Sequence, residues 1–436
     1  MNSDLNSSFN RPVYIVDGAR TPFLKATGKP GPFTPADLAV QCGRPLLLRQ
    51  GFSPDQLDQV ILGCVNVMAN EMNPARISAL RLGLGDQLYA YSVQINCGSG
   101  MQAIDCGFQA IRNNTANLVL AGGSESLSHA PLYFSDSAVD IFSALTSART
   151  LSQRLKTLSR FRLKHFKPVI GLLKGLTDPM VDMNMGQTAE LLAYLFAIGR
   201  SEADSYAVQS HLRLAAAQQN GIFADEITPA FSSDGRVFSA DNGVRADSSV
   251  DKLATLNPVF ERPWGKVTAG NSSQVSDGAS WIILASEEAV EKHGLEPMAK
   301  IVDSHWSALN PAVMGLGPAL CSAELLKRHC DNDLGAVDLW EINEAFAAQV
   351  LACRKAWESP EFCKAMLGLD KPLGSLALDR LNINGGAISL GHPVAASGNR
   401  IVLHLANSLK RLNLKRGIAS QCIGGGQGGA MLLEKV

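Results

Sequence analysis

A cysteine stands at the start of a small-residue turn early in the chain. Residues 94–103 read QINCGSGMQA, with a strand-like stretch before Cys97 and helix-forming residues after Gly100. A thiol at a helix N-terminus faces unpaired backbone N–H groups and the positive end of the helix dipole, which favour the thiolate. Because an ordinary thiol is only slightly ionised at neutral pH, such help matters for a nucleophile. Gly98 and Gly100 would keep the approach to the sulfur open.

Two other interpretations of this segment stay open at this point. Most single cysteines are small buried apolar residues. Residues 98–103 also satisfy the dinucleotide-binding pattern G-x-G-x-x-A, with Glu125 about twenty residues further on. A reactive cysteine directly before the first glycine argues against a pyrophosphate at that place.

A histidine lies in a second small-residue segment near the C-terminus. Residues 391–398 read GHPVAASG and follow NINGG at 382–386. An imidazole in such a loop can reach an open cleft, where it can deprotonate a thiol or donate to a developing oxyanion. A single histidine is more often structural, but the small residues on both sides of His392 favour a function.

Two further segments follow expected strands. Residues 421–429 read QCIGGGQGG, and their backbone N–H groups suit an oxyanion hole beside Cys422. No Lys-Ser/Thr pair follows the glycines, which excludes a phosphate-binding loop. Residues 341–347 read EINEAFA, in which Asn343 can hold a water or a substrate oxygen and Glu344 can orient a neighbouring polar group.

Short β-branched runs alternate with helical patterns along the chain, which indicates an α/β protein with buried strands. Each half has a small-residue turn that opens a helix and an apolar strand that runs into glycines, so the halves resemble a duplicated unit. Strands are predicted at 13–16, 60–62, 92–95, 118–120 and 281–285 in the first half, and at 300–303, 337–342, 418–421 and 430–433 in the second.

An insertion at about 131–251 separates the halves. Its segment 149–174 has eight Lys and Arg and no acidic residue, with leucines and phenylalanines interleaved. This pattern fits an amphipathic helix for a membrane surface or a partner groove, and a solvated loop is the alternative. A later helix is predicted to open at a capping box of Ser201 and Asp204, with His211 on its surface.

Composition excludes several classes of protein. The 436 residues are 46% hydrophobic and 18% charged, which excludes intrinsic disorder. A net charge of −1 argues against general nucleic-acid binding, and nine cysteines without a C-x-x-C pair disfavour a disulfide framework or a zinc site. The first twelve residues lack a secretory signal and the apolar runs are too short for a membrane span, so a cytoplasmic protein is expected.

Taken in order, these four segments resemble the thiolase family. The matching motifs are C-G-S-G, N-E-A-F, G-H-P-x-A-A-S-G and C-x-G-G-G-Q-G, and the resemblance runs from Val13 to Leu433. The basic insertion and the segments 185–190 and 241–245 look closest to β-subunits of fatty-acid-oxidation multienzyme complexes. The resemblance implies a duplicated, layered αβαβα core with an inserted loop domain. Its expected parts are an N-terminal half at 1–130 completed by about 252–295, a loop domain at 131–251 and a C-terminal half at 296–436.

The resemblance also implies an acyltransferase that cleaves 3-oxoacyl-CoA with coenzyme A in fatty acid β-oxidation. Cys97 would hold the acyl group as a thioester, and His392 would activate Cys97. His392 and a water on Asn343 would form one oxyanion hole, while the backbone N–H groups of Cys97 and Gly424 would form the second. Cys422 would carry a proton to or from the departing acetyl thioester.

Substrate contacts and partners follow from the same resemblance. Ser273 would contact the pantetheine arm and Arg245 the adenine end, while Met185, Met314 and Phe346 would line the pocket unless they are ordinary core residues. Coenzyme A is expected as a substrate, with no permanently bound cofactor and no metal. A homodimer or a dimer of dimers is expected, with a hydratase/dehydrogenase α-subunit or a membrane surface as a further partner through 149–174.

Two other functions remain as alternatives. One is an acetyl-CoA C-acetyltransferase that condenses two acetyl units, and the other is a non-catalytic lipid-binding or scaffolding subunit. Asn184 stands where many biosynthetic thiolases have histidine, and Asn343 where multienzyme β-subunits generally have histidine. The motifs therefore leave the acyl chain length open.

Overall fold

The structure is a computed structural model that describes residues 11–436, and its centre is one long mixed β-sheet. The elements before the insertion are β1 (Val13–Arg20), β2 (Leu24–Lys25), α1 (Pro35–Leu48), β3 (Gln59–Gly63), α2 (Pro74–Arg81), β4 (Tyr89–Val93), α3 (Ser99–Arg112) and β5 (Leu118–Ser126).

The insertion consists of short strands and helices. They are β6 (Leu132–Tyr133), α4 (Asp136–Ser147), α5 (Leu151–Leu158), β7 (Val169–Ile170), α6 (Gly171–Gly175), β8 (Thr177–Asp178), β9 (Met183–Asn184), α7 (Met185–Leu195), α8 (Arg200–Gln219), β10 (Ala230–Phe231), β11 (Val237–Phe238) and α9 (Val250–Ala254).

The remaining elements return to the sheet. They are β12 (Ser276–Ser286), α10 (Glu287–His293), β13 (Ala299–Ala308), α11 (Gly317–His329), β14 (Leu339–Ile342), α12 (Ala347–Glu358), α13 (Pro360–Leu367), α14 (Ala387–Leu390), α15 (Val394–Leu412), β15 (Arg416–Ile423) and β16 (Gln427–Lys435).

The strand order is β14-β15-β16-β13-β1-β12-β5-β3-β4, with β2 paired to β12. Strand β1 lies antiparallel to both β12 and β13, so it joins a set of strands from before residue 287 to a set from after residue 298. In the first set β3 lies parallel to both β4 and β5, and in the second set β14 lies parallel to β15. The carboxyl ends of parallel strands meet at one edge, which is where ligand sites form in open α/β sheets.

The helices complete five layers. Helix α15 packs against α3 and against strands of both sets, whereas α3 packs against strands of the first set. Helices α1 and α2 cover the first set on its outer face, and α11 covers the second. Large clusters of buried apolar side chains fill the spaces between these layers. The expected layered α/β fold is confirmed.

Helix α15 is buried along almost its whole length, so its polar side chains need partners inside the protein. Arg400 pairs with Glu341 at 3.1 Å, and His404 pairs with Glu226 at 2.6 Å. Asn399 donates to the carbonyl of Ala121 on β5. These contacts fix the rotation of α15 about its axis.

Three local predictions differ from the structure. Strand β4 ends at Val93 instead of Ile95, because residues 94–96 turn and Asn96 adopts a left-handed φ of 46°. The capping box at Ser201 is wrong: α8 begins at Arg200, and Asp204 instead accepts from the Arg200 side chain. His211 is 1% exposed, and its Nδ1 accepts the Arg245 backbone N–H, so its placement on the surface is wrong.

The closest approach of α3 and α15 requires glycine. A Cβ at Gly100 would lie 2.3 Å from the carbonyl oxygen of Ala395, and one at Gly398 would lie 2.8 Å from the backbone nitrogen of Met101. Real Cβ atoms do not approach backbone this closely, so the two glycines set the spacing of the central layer. The role expected for Gly100, an open path to the sulfur, is therefore wrong.

Gly100→Ala should lower the free energy of unfolding by about 1–3 kcal/mol, because the new methyl group forces α3 away from backbone that cannot yield. Urea unfolding followed by far-UV circular dichroism measures this. Gly175→Ala is the matched control, because no atom lies within 4 Å of the position of its Cβ. Equal midpoints for Gly100→Ala and the wild type would contradict the packing role.

In the part of the chain that the structure describes, no helix is both long and apolar enough to span a bilayer.

Candidate active site

A cavity of about 370 Å³ opens where both halves and the insertion meet. Asn96 and Cys97 come from the turn before α3, Val394 from the start of α15, and Gly424 and Gly425 from the turn after β15. The insertion supplies the opposite wall, mainly from 130–133 and 171–179. Segments far apart in the sequence thus form one site.

Cys97 and the glycine turn are in direct contact. The backbone N–H of Gly424 faces the Cys97 sulfur closely enough to lower the pKa of its thiol. The carbonyl of Gly424 accepts from Asn96 Nδ2 at 2.8 Å, so the turn is held from both sides. A Cβ at Gly424 would lie 3.3 Å from the sulfur of Met185. The contact therefore leaves little room for a side chain.

Burial dominates the ionisation of Cys97. Desolvation raises the pKa of the thiol above its usual value, and the charge of Glu125 raises it further. The Gly424 N–H lowers the pKa without cancelling these effects. The expectation that the helix start would ionise this thiol is therefore wrong for the resting site. A base must remove the proton.

His392 has the features of that base. Burial, together with the positive charge of Arg400, lowers the pKa of His392 to about 4, so its imidazole is neutral at pH 7. Nδ1 lies 2.6 Å from Ser397 Oγ, whose hydroxyl can donate to the carbonyl of Pro393. Nδ1 then carries the proton, and Nε2 keeps its lone pair. Nε2 is buried and has no hydrogen-bond partner among the described residues.

Cys422 and Asn343 lie at the carboxyl ends of the parallel strands β15 and β14. The Asn343 backbone N–H donates to the Ser420 carbonyl at 2.9 Å, which aligns the two strand ends. Burial and the nearby Cys97 sulfur raise the pKa of Cys422, so this thiol keeps its proton. The side chain of Asn343 is fully buried, and neither amide atom has a partner within residues 11–436. A buried amide of this kind binds water or a ligand oxygen.

Glu344 ties the loop after β14 to the insertion and to α14. Its carboxylate accepts from Tyr206 and Ser210 on α8, at 3.0 and 2.7 Å. It also accepts from Asn382 Nδ2 and from the backbone N–H of Ile388. The prediction that Glu344 orients neighbouring polar groups agrees with this geometry.

The three apolar residues assigned to the pocket lie together around Cys422. Met314 and Phe346 share a buried cluster with the Cys422 side chain, and Met185 packs at its edge. Of the three, only Met185 lines the cavity. Close packing of this kind suits core residues as well as a pocket wall.

The two residues expected to contact coenzyme A lie outside the cavity lining. The backbone of Ser273 donates to the Ala345 carbonyl, beside the loop that carries Asn343. Arg245 is half-buried and is held through its backbone by His211. Their assignments stay predictions from the resemblance.

Sequence reasoning missed Asn96 and Ser397 as supports of the site. An asparagine just before a turn tolerates positive φ, and a hydroxyl five residues after a histidine can reach back across a helix start, so both had a local signal.

For Glu125, the sequence suggested only one alternative role, in binding a ribose. Glu125 is fully buried and accepts the backbone N–H groups of Asn66 and Ala395, and burial raises its pKa to about 7. It therefore bridges the halves and cannot reach a ribose.

Comparisons with known proteins agree over nearly the whole chain. The family model described as "Thiolase, N-terminal domain" matches residues 13–288, and "Thiolase, C-terminal domain" matches residues 295–435. The mitochondrial 3-ketoacyl-CoA thiolase of Bos taurus is 38% identical over 97% of this chain and 98% of its own. The mitochondrial trifunctional enzyme subunit beta of the same organism is 35% identical over 97% and 88%.

Solved structures give the same result. The acetyl-CoA acetyltransferase of Bacillus anthracis superposes with a TM-score of 0.84 at 35% identity, over 98% of this chain and 100% of that one. Human mitochondrial 3-ketoacyl-CoA thiolase in complex with CoA superposes with a TM-score of 0.81 at 36% identity, over 98% of each chain.

Alkylation of Cys97 by iodoacetamide should keep accelerating with pH to beyond pH 9, because only the thiolate reacts and burial holds the pKa above its usual value. Peptide mapping by mass spectrometry gives the rate for this residue alone. The half-buried Cys106, outside the cavity lining, is the internal comparison. If the alkylation rate of Cys97 instead levelled off below pH 7, the helix start would lower the pKa of the thiol more than burial raises it.

Proposed function

This chain belongs to the thiolase family, whose members are acyltransferases, and on that premise we propose that it cleaves 3-oxoacyl-CoA with coenzyme A. The products are acetyl-CoA and an acyl-CoA shortened by two carbons, as in fatty acid β-oxidation. The observation that carries the proposal is that Cys97 lies against the Gly424 N–H and beside Cys422, in a cavity that the start of α15 also lines.

In the first step, His392 Nε2 takes the proton of Cys97, and the sulfur attacks the 3-oxo carbon. A neutral imidazole suits this task, since its lone pair is free at pH 7. The tetrahedral oxyanion then accepts the backbone N–H groups of Cys97 and Gly424. Loss of one such donor typically costs about 10²–10³ in turnover.

Carbon–carbon cleavage then releases the enolate of acetyl-CoA. Its oxygen accepts a hydrogen bond from the protonated His392 and one from a water held by the buried Asn343 amide. Cys422 gives its proton to the enolate carbon. A thiol whose pKa is raised still holds a proton at neutral pH, which is the state that this step requires.

In the last step, the Cys422 thiolate takes the proton of the coenzyme A thiol, and the coenzyme A sulfur attacks the acyl group on Cys97. The same N–H groups stabilise the second tetrahedral oxyanion, and Cys97 leaves as the thiolate that His392 reprotonates. Both the acyl-enzyme and the products are thioesters, so the reaction is reversible. Coenzyme A is thus a substrate in this proposal, as its complex with the human relative supports.

The cavity favours an acyl chain longer than acetyl. Its wall continues from Cys97 along apolar residues of the insertion, among them Pro131, Leu172 and Leu176. An acetyl-CoA C-acetyltransferase is the second candidate, because the superposition with the Bacillus anthracis enzyme is as complete as that with the ketoacyl-CoA thiolase. A non-catalytic lipid-binding subunit is disfavoured, because every reactive position is occupied.

We propose a cytoplasmic homodimer as the minimal assembly. Strand β4 is the last strand in the sheet order, and Tyr89 on it is 63% exposed. An exposed sheet edge of this kind is suited to pairing with a second copy. A hydratase/dehydrogenase α-subunit is a further candidate partner, supported by the resemblance to the trifunctional enzyme subunit beta.

Incubation with acyl-CoA should add one acyl group to the protein, and Cys97→Ala should abolish the adduct, because the sulfur is the acceptor. Cys422→Ala should keep the adduct but lower carbon–carbon cleavage at least 10²-fold, because the enolate loses its proton donor. Intact-protein mass spectrometry and a thiolysis assay measure the two effects.

Cys106→Ala is the matched control, and it should leave both acylation and cleavage unchanged. An adduct that persists in Cys97→Ala would remove that residue from the mechanism. Normal cleavage by Cys422→Ala would exclude its role as the proton donor.

The rate of thiolysis should be higher with 3-oxohexadecanoyl-CoA than with acetoacetyl-CoA, because the apolar wall stabilises the longer chain. The comparison of kcat/KM across chain lengths from C4 to C16 measures this. A strong preference for C4 would instead select the acetyltransferase, and acetoacetyl-CoA synthesis from acetyl-CoA alone would then be the matching assay.

A further inference from the structure

Glu125 is a buried acid that takes no part in the reaction steps proposed above. It lies on β5 with none of its surface exposed, and it is outside the cavity lining. Another buried glutamate, Glu341, pairs with Arg400, but Glu125 forms no ion pair within residues 11–436. A buried charge without a partner of opposite sign costs stability. Such a group close to a reactive site is therefore a candidate for a role in the reaction.

The carboxylate of Glu125 caps a helix that belongs to the other half of the chain. Helix α15 begins two residues after His392, its N-cap Pro393 makes no side-chain hydrogen bond, and its first turn has no acidic residue. The backbone N–H of Ala395, in this first turn, donates to Glu125 at 3.2 Å. The unpaired N–H groups and the positive end of the helix dipole both favour a carboxylate at this place. Strand β5 thus supplies the cap that α15 itself lacks.

The same carboxylate holds the loop after β3. The backbone N–H of Asn66 donates to it at 2.8 Å. Where this loop leaves β3, a Cβ at Gly63 would lie 2.7 Å from the backbone nitrogen of Gly100, so the loop packs closely against the start of α3. Helix α3 is the helix that follows Cys97. One carboxylate therefore connects the two helix starts that follow the reactive cysteine and the reactive histidine.

Three titratable groups interact with Glu125, and each belongs to a different element. They are Asp277 on β12, Cys64 in the loop after β3, and Cys97 before α3. His392, before α15, is neutral at pH 7. Burial, assisted by the charge of Asp277, raises the pKa of Glu125 to about 7. The carboxylate form therefore predominates only above about pH 7, and its charge then opposes the Cys97 thiolate.

We infer that Glu125 is a positioning residue, whose carboxylate keeps His392 and Cys97 in the relative positions that proton transfer between them requires. The inference rests on the proposed function, in which His392 takes the proton of Cys97. A protonated carboxyl group carries a hydrogen on one oxygen, so it cannot accept the N–H groups of both segments equally well. The ionised form of Glu125 is therefore the active form.

The acid limb of the pH profile distinguishes this role from the titration of His392. Glu125 loses its charge below about pH 7, whereas His392 gains a charge only near pH 4. For the wild type, kcat/KM for 3-oxoacyl-CoA should therefore fall as the pH decreases through about 7. A profile that stays flat from pH 8 to pH 5 would overturn the inference without any variant.

Glu125→Gln keeps the shape of the side chain, but its amide oxygen can accept only one of the two segments. The kcat for thiolysis at pH 8 should fall about 10–100-fold, because the reacting groups are displaced. KM should stay within about twofold, because Glu125 lies outside the cavity lining. The acid limb near pH 7 should disappear. Alkylation of Cys97 should also shift to lower pH, because the charge that opposes the thiolate is gone.

Glu71→Gln is the matched control. Glu71 is also buried, and it accepts the backbone N–H of Ala36 at 3.2 Å, in the second position of α1, as Glu125 does with Ala395 in α15. It lies outside the cavity lining, so kcat, the pH profile and the alkylation of Cys97 should remain as in the wild type. Far-UV circular dichroism of both variants checks that they fold.

Three results with the variants would overturn the inference. They are an unchanged kcat in Glu125→Gln, an acid limb near pH 7 that persists in Glu125→Gln, and equal losses in Glu71→Gln. If Glu125→Gln does not fold, the pH profile of the wild type decides. Absence of thiolysis in the wild type would refute the proposed function separately, and an unshifted alkylation profile in Glu125→Gln would then also remove the effect of Glu125 on Cys97.

Discussion

The close crossing of helices α3 and α15 is the constraint on which the rest of the structure depends. Gly100 and Gly398 let the backbones approach to a distance that no side chain would permit, and Glu125 bridges the two halves beside them. Each helix begins at a reactive segment, Cys97 before α3 and His392 before α15. Packing of the central layer therefore also sets the relative positions of the two reactive segments.

Desolvation controls the protonation of the reactive groups that lie near this helix crossing. The same burial raises the pKa of Cys97 and Cys422 and lowers that of His392, so all three groups are neutral at rest. Each of the two protonated thiols can give up a proton, and the free lone pair of the imidazole can accept one. Protons can therefore move in either direction.

The insertion serves the site through two opposite surfaces. On the inside, α8 donates two hydroxyl groups to Glu344, and Arg20 on β1 forms a buried pair with Asp241 at 2.7 Å, so the insertion is fixed to both halves. On the outside, it exposes leucines and cations that the fold itself does not use. The fixed inner side gives these exposed side chains a defined position relative to the cavity.

The sequence by itself determined the alternation of strands and helices, the family, and the segments that carry Cys97, His392, Cys422 and Asn343. Local patterns suffice there, because β-branched runs, small-residue turns and glycine runs each restrict the backbone near them. Every predicted strand overlaps an observed one for this reason.

Only the tertiary structure decided the charge states and the supporting residues. The pKa of a thiol depends on the solvent that distant segments exclude. The sequence pattern around Cys97 therefore could not show that burial raises this pKa more than the helix start lowers it. The burial of His211, the partners of Asp204 and the packing role of Gly100 likewise depend on residues far away in the chain. Contacts of that kind leave no local periodicity, and so they had to be seen in three dimensions.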